Sequence, residues 1–142
     1  MADVLSYPTP HPTPLVDEDP FSCLRLIRSR RVGAVTYHRL IAEHGSAAAA
    51  LAALPGIAQA AGVENYSICP IEVVRHEMAQ ARLAGAVLLR HGAEDYPAAL
   101  MDMADAPAVL WALGDVGLLA RPMVAMVGAR NASSLGLRMA RR

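Results

Sequence analysis

An apolar run over residues 123–127 leads directly into a glycine turn, and this feature constrains the fold most. Five consecutive apolar residues indicate a strand that is buried on both faces. The turn over residues 128–134 and a helical pattern over residues 135–140 complete a strand–turn–helix unit. In doubly wound α/β folds, the free amides and the dipole at such a helix N-terminus favour an anion. We therefore predict an anion-binding corner at this turn.

The residues of the turn narrow the kind of anion it can bind. It lacks the lysine and glycines of a P-loop, and Gly128 and Gly136 are too far apart for a dinucleotide fingerprint. Arg130 adds a full charge to the corner, which suits the phosphates of a polymer backbone. The alternative is that Arg130 is a structural surface arginine. The candidate phosphate-binding residues are Gly128, Arg130, Asn131, Ser133 and Ser134.

Short apolar runs alternate with helical patterns from about residue 70 onward. This alternation predicts an α/β sheet that is mostly parallel and covered on both faces. We expect residues 70–142 to be the beginning of an extended Rossmann-like doubly wound domain. The predicted elements, besides those at the corner, are helices over residues 70–85, 96–101 and 116–120 and strands over residues 86–89 and 109–113.

Short helical patterns over residues 21–69 predict a small all-helical domain in front of the α/β part. Gly45 is typical of a helix C-terminus, and Ser46 can cap a helix over residues 47–53, because its hydroxyl accepts an amide of the first turn. Pro55 then begins a further short helix, since proline is favoured at the first helical position.

Two turns in this helical part, residues 32–35 and 54–58, resemble those of helix-hairpin-helix modules. In such modules, glycines let backbone amides approach a DNA phosphate. Ala34 or Ala58 replaces the second glycine of the usual hairpin, which weakens this interpretation. The alternative is a helical packing module that keeps the turn and lacks the phosphate contact.

We predict that residues 1–20 form a disordered tail. They contain five of the ten prolines, most of them at every second position, and such spacing removes backbone donors and favours polyproline geometry. This segment contains four acidic residues and no basic one. The remaining chain therefore has a formal charge of +4, with thirteen arginines, no lysine and nine acidic residues, although the net charge of the whole is zero. That charge permits DNA binding without requiring it.

Several classes of protein are not supported by the sequence. No apolar run reaches the roughly 18 residues of a membrane span, and no secretory signal begins the chain, so we expect a soluble cytoplasmic protein. Cys23 and Cys69 have no close cysteine partner, and the five histidines form no metal-binding motif. We predict no metal and no cofactor.

Three motifs near the end of the chain resemble the DprA (Smf) family of DNA-processing proteins. They occur in the family's order of YPxxL, PxxLyxxG and VAIVGxRxaS followed by a glycine. Residues 32–36 and 50–54 also resemble the sterile-alpha-motif-like, hairpin-containing N-terminal domain of that family. The three motifs are YPAAL at residues 96–100, APAVLWALGD at residues 106–115 and VAMVGARNAS at residues 124–133, with Gly136 as the following glycine.

The resemblance implies a non-catalytic recombination mediator that binds single-stranded DNA and loads RecA onto it in natural transformation. Arg130 occupies the position of the arginine that, in this family, lies in the pocket for single-stranded DNA. Gly128 and Ser133 match other positions of the same turn. Ala129 departs from the serine or threonine that is common there, which removes one hydroxyl contact. A homodimer is expected for the complete protein.

The resemblance also implies that the family's domain continues beyond Arg142 with further strands, a second glycine-rich motif and a lysine in the DNA pocket. We therefore expect this chain alone to bind DNA poorly, and we expect its incomplete sheet over residues 86–142 to be unstable or dependent on partners. The residues themselves are also compatible with two other functions. One is a Rossmann-like enzyme or sensor that binds a nucleotide phosphate at the corner, and the other is a protein-interaction domain over residues 22–85.

Overall fold

The computed structural model describes residues 19–141, so the predicted tail over residues 1–20 lies outside it except for Asp19 and Pro20. Three helices pack together, and a fourth helix and a two-stranded sheet pack against the first of them. In chain order the elements are α1 (Pro20–Arg28), α2 (Ala34–His44), α3 (Ala47–Ala60), α4 (Ile71–Leu83), β1 (Val87–Arg90), α5 (Ala98–Met101), β2 (Val109–Ala112), a 3-10 helix (Val116–Ala120) and α6 (Ser134–Ala140).

Helix α1 begins at a side-chain cap. The Asp19 carboxylate accepts hydrogen bonds from the amides of Phe21 at 3.1 Å and Ser22 at 3.2 Å. These amides have no acceptor within the helix, so the cap satisfies them. Pro20 occupies the first helical position, where its missing N–H leaves no bond unmade. The last two residues of the predicted tail therefore form the start of α1.

The connection between α2 and α3 agrees with the sequence. Gly45 follows α2 in the left-handed conformation, with φ of 79°. The Ser46 hydroxyl then accepts a hydrogen bond from the Ala49 amide at 3.1 Å and caps α3. Among residues 19–141, no single helix is long and apolar enough to cross a bilayer. Helices α2 and α3 reach that length and apolarity only as a pair, which bends by 105° at this connection.

Helix α3 corrects one prediction. Pro55 does not begin a new helix, because α3 continues through it as far as Ala60. The proline removes one backbone hydrogen bond from the helix interior. Leu51, Leu54 and Ala58, on both sides of the proline, are buried. Burial of these side chains against the neighbouring helices keeps the two halves in one helix.

Helix α1 is buried on two faces. Cys23 and Leu26 lie in a cluster with side chains of α2 and α3. Leu24 lies in a second cluster with Cys69 and Val74, the latter from α4. Leu24 and Leu26 are fully inaccessible to solvent, and burial of such a side chain contributes about 1.5–3 kcal/mol. Helix α1 therefore joins the helical part to α4 and the sheet.

The sheet consists of β1 and β2, near the positions that the sequence predicts. The strands are antiparallel, with Val87 opposite Ala112 and Arg90 opposite Val109. The predicted parallel arrangement is wrong for this pair. Parallel pairing needs a long crossover, usually a helix of several turns, whereas α5 between these strands has only four residues. The described residues thus contain a helical part and a small sheet with helices, and the Rossmann-like fold stays a prediction.

The predicted strand over residues 123–127 is absent from the structure, which has an irregular segment there. Val124 and Val127 are 90% and 98% exposed. A strand requires a neighbour that pairs with its backbone groups. Within residues 19–141 no strand lies beside this segment, because β1 and β2 pair only with each other. The apolar pattern alone therefore does not produce a strand.

A row of aromatic rings attaches α2 to the segment after β1. The ring centroids of His38 and His91 are 4.4 Å apart, and that of Tyr96 lies 5.3 Å from His91. The Nε2 of His38 donates to the carbonyl of Ala106 at 2.8 Å. The Tyr96 hydroxyl donates to the carbonyl of Pro107 at 2.7 Å. Protonation of both imidazoles would place two positive charges side by side in this row.

We predict that the protein loses stability as the pH falls through the range in which His91 titrates. Burial, and then the charge of His38, lower the pKa of His91 below its ordinary value. The unfolded chain therefore binds this proton first, and stability declines from about pH 6.5 downward until the pH lies below the folded-state pKa. Urea denaturation at about pH 7.5 and about pH 5 measures this decline.

The variant His91→Gln should show a smaller decline than the wild type between the two pH values. His76→Gln is the control, because His76 is exposed on α4 and should leave the decline unchanged. An equal decline in wild type and His91→Gln would contradict the prediction.

Candidate nucleic-acid interface

The five predicted phosphate-binding residues lie in one exposed stretch of the chain. Gly128, Arg130 and Asn131 belong to the irregular segment before α6. Ser133 is the residue that caps α6, and Ser134 is its first helical residue. The structure thus brings them together as a loop followed by a helix N-terminus. The strand that was expected to precede the loop is missing from this arrangement.

Ser133 acts as the cap of α6. Its hydroxyl accepts a hydrogen bond from the Gly136 amide at 3.3 Å, and its carbonyl accepts one from the Leu137 amide at 3.0 Å. Two serines, Ser133 and Ser134, stand at the start of this helix, and the structure assigns the cap to Ser133. The capping hydroxyl still has a proton to donate to an oxygen acceptor.

Gly128 and Arg130 are both open to solvent. Arg130 makes no ion pair with any residue in the described range. A Cβ at Gly128 would meet nothing within 4 Å, and this glycine is not in the left-handed region. The chain's own conformation therefore does not require glycine at position 128. What a glycine provides here is unobstructed backbone, which a large anion can approach.

The structure separates the two candidate helix-hairpin-helix turns. Gly33 precedes α2 as its N-cap and has an extended conformation, with no side-chain cap. Residues 54–58 lie inside α3, so the interpretation of this segment as a turn between two helices is wrong. Amides in a helix interior bond to carbonyls of the preceding turn and are not free for a ligand. Only the turn before α2 keeps free amides.

Two arginines beside that turn were not among the predicted site residues. Arg30 and Arg31 are both exposed, and Arg31 has a positive φ of 65°. The Tyr66 hydroxyl donates to the Arg30 carbonyl at 2.7 Å and holds the turn in place. The sequence signal was the arginine pair directly before Val32 and Gly33, which places two cations near the N-terminus of α2.

The described residues offer little for metal or thiol chemistry. In residues 19–141, no group of three or more His, Cys, Asp and Glu side chains could hold a metal ion. Cys23 and Cys69 are buried and form no disulfide bond with each other. Burial raises the pKa of the Cys69 thiol, which disfavours the reactive thiolate at neutral pH.

A second exposed feature is a groove of about 770 Å³ beside α4, which we call the α4 groove. Its lining comes from α4 and the residues after it, from the start of α1 and from the two strands of the sheet. The side chains that define it are Phe21, Arg75, Met78, Arg82, Leu88 and Trp111. The sequence alone assigns no function to these residues, because they come from four separate elements, α1, α4, β1 and β2.

A hydrogen-bonded chain fixes Trp111 in the groove. The indole Nε1 of Trp111 donates to Glu77 at 2.8 Å, and Arg28 donates to the same carboxylate at 2.6 Å and 2.9 Å. The hydrogen bond from Arg28, opposed by burial and assisted by the bond from Trp111, lowers the pKa of Glu77. Glu77 therefore stays ionised at neutral pH and links α1, α4 and β2.

Two family models match this chain. The model for the DprA-like N-terminal HHH domain matches residues 17–80, and the model for the DNA recombination-mediator protein A matches residues 87–142. Together they span both the helical part and the segment that contains the glycine turn. The chain belongs to the DprA family of DNA recombination mediators. No curated protein matches the sequence.

We predict that Glu77→Gln destabilises the protein by about 1–2 kcal/mol. A glutamine loses the charge that faces Arg28, and hydrogen bonds to charged groups contribute about 1.5–3 kcal/mol, reduced here because Arg28 is partly in water. Urea denaturation followed by the fluorescence of Trp111, the only tryptophan, measures the change.

Glu72→Gln is the matched control. Glu72 pairs with Arg75 at 2.7 Å on the open surface, and its loss should cost less than about 0.5 kcal/mol. Equal effects of the two substitutions would show that the chain from Arg28 to Trp111 has no special role in stability.

Proposed function

We propose that this protein binds single-stranded DNA as a recombination mediator and that the glycine turn contacts the phosphate backbone. The observation that carries the proposal is Arg130, an exposed arginine without an ion-pair partner in the described range, next to the capped N-terminus of α6. The cation, the open backbone at Gly128 and the first amides of the helix present donors to an anion from one segment. Asn131 and Ser134 add side-chain donors beside them.

The distribution of charge supports a contact with the phosphate backbone of DNA rather than a compact pocket for a small ligand. Arg138 and Arg141 lie on α6 and just after it, and both are exposed. No acidic residue occurs between Asp115 and the end of the chain. Spaced cations without acidic neighbours favour a polyanion, whose affinity comes from several phosphate contacts and falls with salt.

The finer parts of the proposal follow from family membership. We infer that the bound single strand is protected and passed to RecA in the cytoplasm, as in natural transformation, and that the complete protein acts as a homodimer. In this role no covalent bond is made or broken, so no catalytic residue is required. The Rossmann-like domain is the scaffold that we expect to present the glycine turn.

We predict that Arg130→Ala weakens binding of a single-stranded oligonucleotide by about 10- to 100-fold. The reason is the loss of one charge-assisted contact, which contributes about 1.5–3 kcal/mol. The slope of log affinity against log salt should also become shallower by about one unit. Fluorescence anisotropy of a labelled oligonucleotide at several salt concentrations measures both quantities.

Arg39→Ala is the control for net charge. Arg39 is an exposed arginine on α2 that pairs with Glu43 at 3.0 Å, so its removal changes the total charge equally. Arg39→Ala should bind nearly as the wild type does. If Arg130→Ala also binds as the wild type, the glycine turn is not the DNA contact. Displacement of the oligonucleotide by a free nucleotide would instead favour a nucleotide-binding enzyme or sensor.

A further inference from the structure

We propose that the α4 groove is a second contact surface for single-stranded DNA, with bases against Phe21 and Trp111 and phosphates on Arg75 and Arg82. The inference rests on the function proposed above. It concerns a different part of the molecule, formed by α1, α4 and the sheet.

The composition of the groove combines apolar surface with positive charge. Met78, Leu88 and Trp111 provide apolar side chains, and Gly85 and Ala86 leave the connection after α4 without bulk. The only charged residues that line it are two arginines, and no acidic residue does. A nucleotide has the matching composition, since it joins a flat apolar base to an anionic phosphate.

The two arginines are available to a phosphate. Arg82 is exposed and makes no ion pair with a residue of the described range. Arg75 pairs with Glu72, but their side chains are 62% and 73% exposed. An exposed pair of this kind contributes little to stability, so a phosphate can replace Glu72 at small cost. Arg82 comes seven positions after Arg75 on α4, which places the two residues about 10 Å apart along the helix axis.

The groove contains one exposed aromatic side chain and one that a hydrogen bond holds in place. Phe21 is in the first turn of α1 and is 37% exposed. Trp111 is fixed by its hydrogen bond to Glu77. The negative charge of Glu77 is offset by Arg28, which contacts the same carboxylate, so it does not repel a phosphate at the groove. Fixed aromatic rings are suitable for stacking because little conformational entropy is lost on binding.

The same lining argues against an extended acidic peptide as the occupant. A peptide backbone carries a donor and an acceptor at nearly every residue, and these need partners when water is displaced. The groove offers two guanidinium groups and no serine, threonine, asparagine, glutamine or histidine side chain. Stacked bases need no hydrogen-bond partner on their faces, so single-stranded DNA fits this surface better.

The test uses two substitutions at exposed groove positions, Phe21→Ala and Arg82→Gln, in the whole chain. Binding is measured by anisotropy with an oligodeoxythymidine and with an abasic oligonucleotide of equal length. We expect each substitution to weaken binding of the oligodeoxythymidine by about tenfold. With the abasic strand, the effect of Phe21→Ala should disappear, because no base remains to stack, and the effect of Arg82→Gln should persist.

Matched controls lie outside the groove and outside the turn before α2. Met103→Ala shortens another exposed apolar side chain, 46% accessible, and Arg39→Gln removes another exposed charge. Both should bind as the wild type does, and circular dichroism should show that all four variants are folded. If both groove variants bind with wild-type affinity while Arg130→Ala binds more weakly, the groove proposal is overturned and the proposed function remains intact. The groove would then be a candidate site for an acidic protein partner. Absence of oligonucleotide binding by the wild type overturns both.

Discussion

The burial of helix α1 between two clusters of side chains is the constraint on which the rest of the structure depends. Leu26 faces the helical part, and Leu24 faces α4 and the sheet, and both are fully buried. One short helix with a single apolar stripe could join only one of these layers. Because α1 is apolar on two sides, it fixes α3 and α4 on opposite sides of itself and gives the small sheet a surface on which to pack.

The same helix also arranges the polar surface. Arg28, in its last turn, fixes Glu77 of α4, and Glu77 in turn fixes the indole of Trp111 on β2. This chain of contacts crosses α1, α4 and β2, three of the four elements that line the α4 groove. Packing on one side of α1 thus orients the side chains on the exposed side, and the groove has a defined shape although no residue within it is deeply buried.

The glycine turn has a different physical character. Its cap is local, since Ser133 bonds to an amide three residues away, and a contact of this kind needs no residue from another element. The preceding apolar segment has no strand beside it in the described range, and its side chains remain in water. The turn therefore presents its arginine and its free helix amides on a local scaffold, and the contact that we propose with DNA would be made from that scaffold.

The sequence by itself determined the features that arise from local chemistry. These are the cap at Ser46, the end of α2 at Gly45, the helix α4, the approximate positions of β1 and β2, and the family motifs around Arg130. Only the tertiary structure decided the rest. Buried side chains on both sides of Pro55, Leu51 and Leu54 before it and Ala58 after it, kept α3 in one piece, where the local preference of proline favoured a new helix. The short α5 left β1 and β2 antiparallel, and the absence of a neighbouring strand within residues 19–141 left residues 123–127 irregular. The α4 groove belongs to this second group as well, because its arginines and aromatic rings lie on separate elements that only packing brings together. The pattern of apolar and capping residues in the sequence indicates which residues can be buried or can end a helix. The pairing of strands depends on which neighbouring strands the fold supplies.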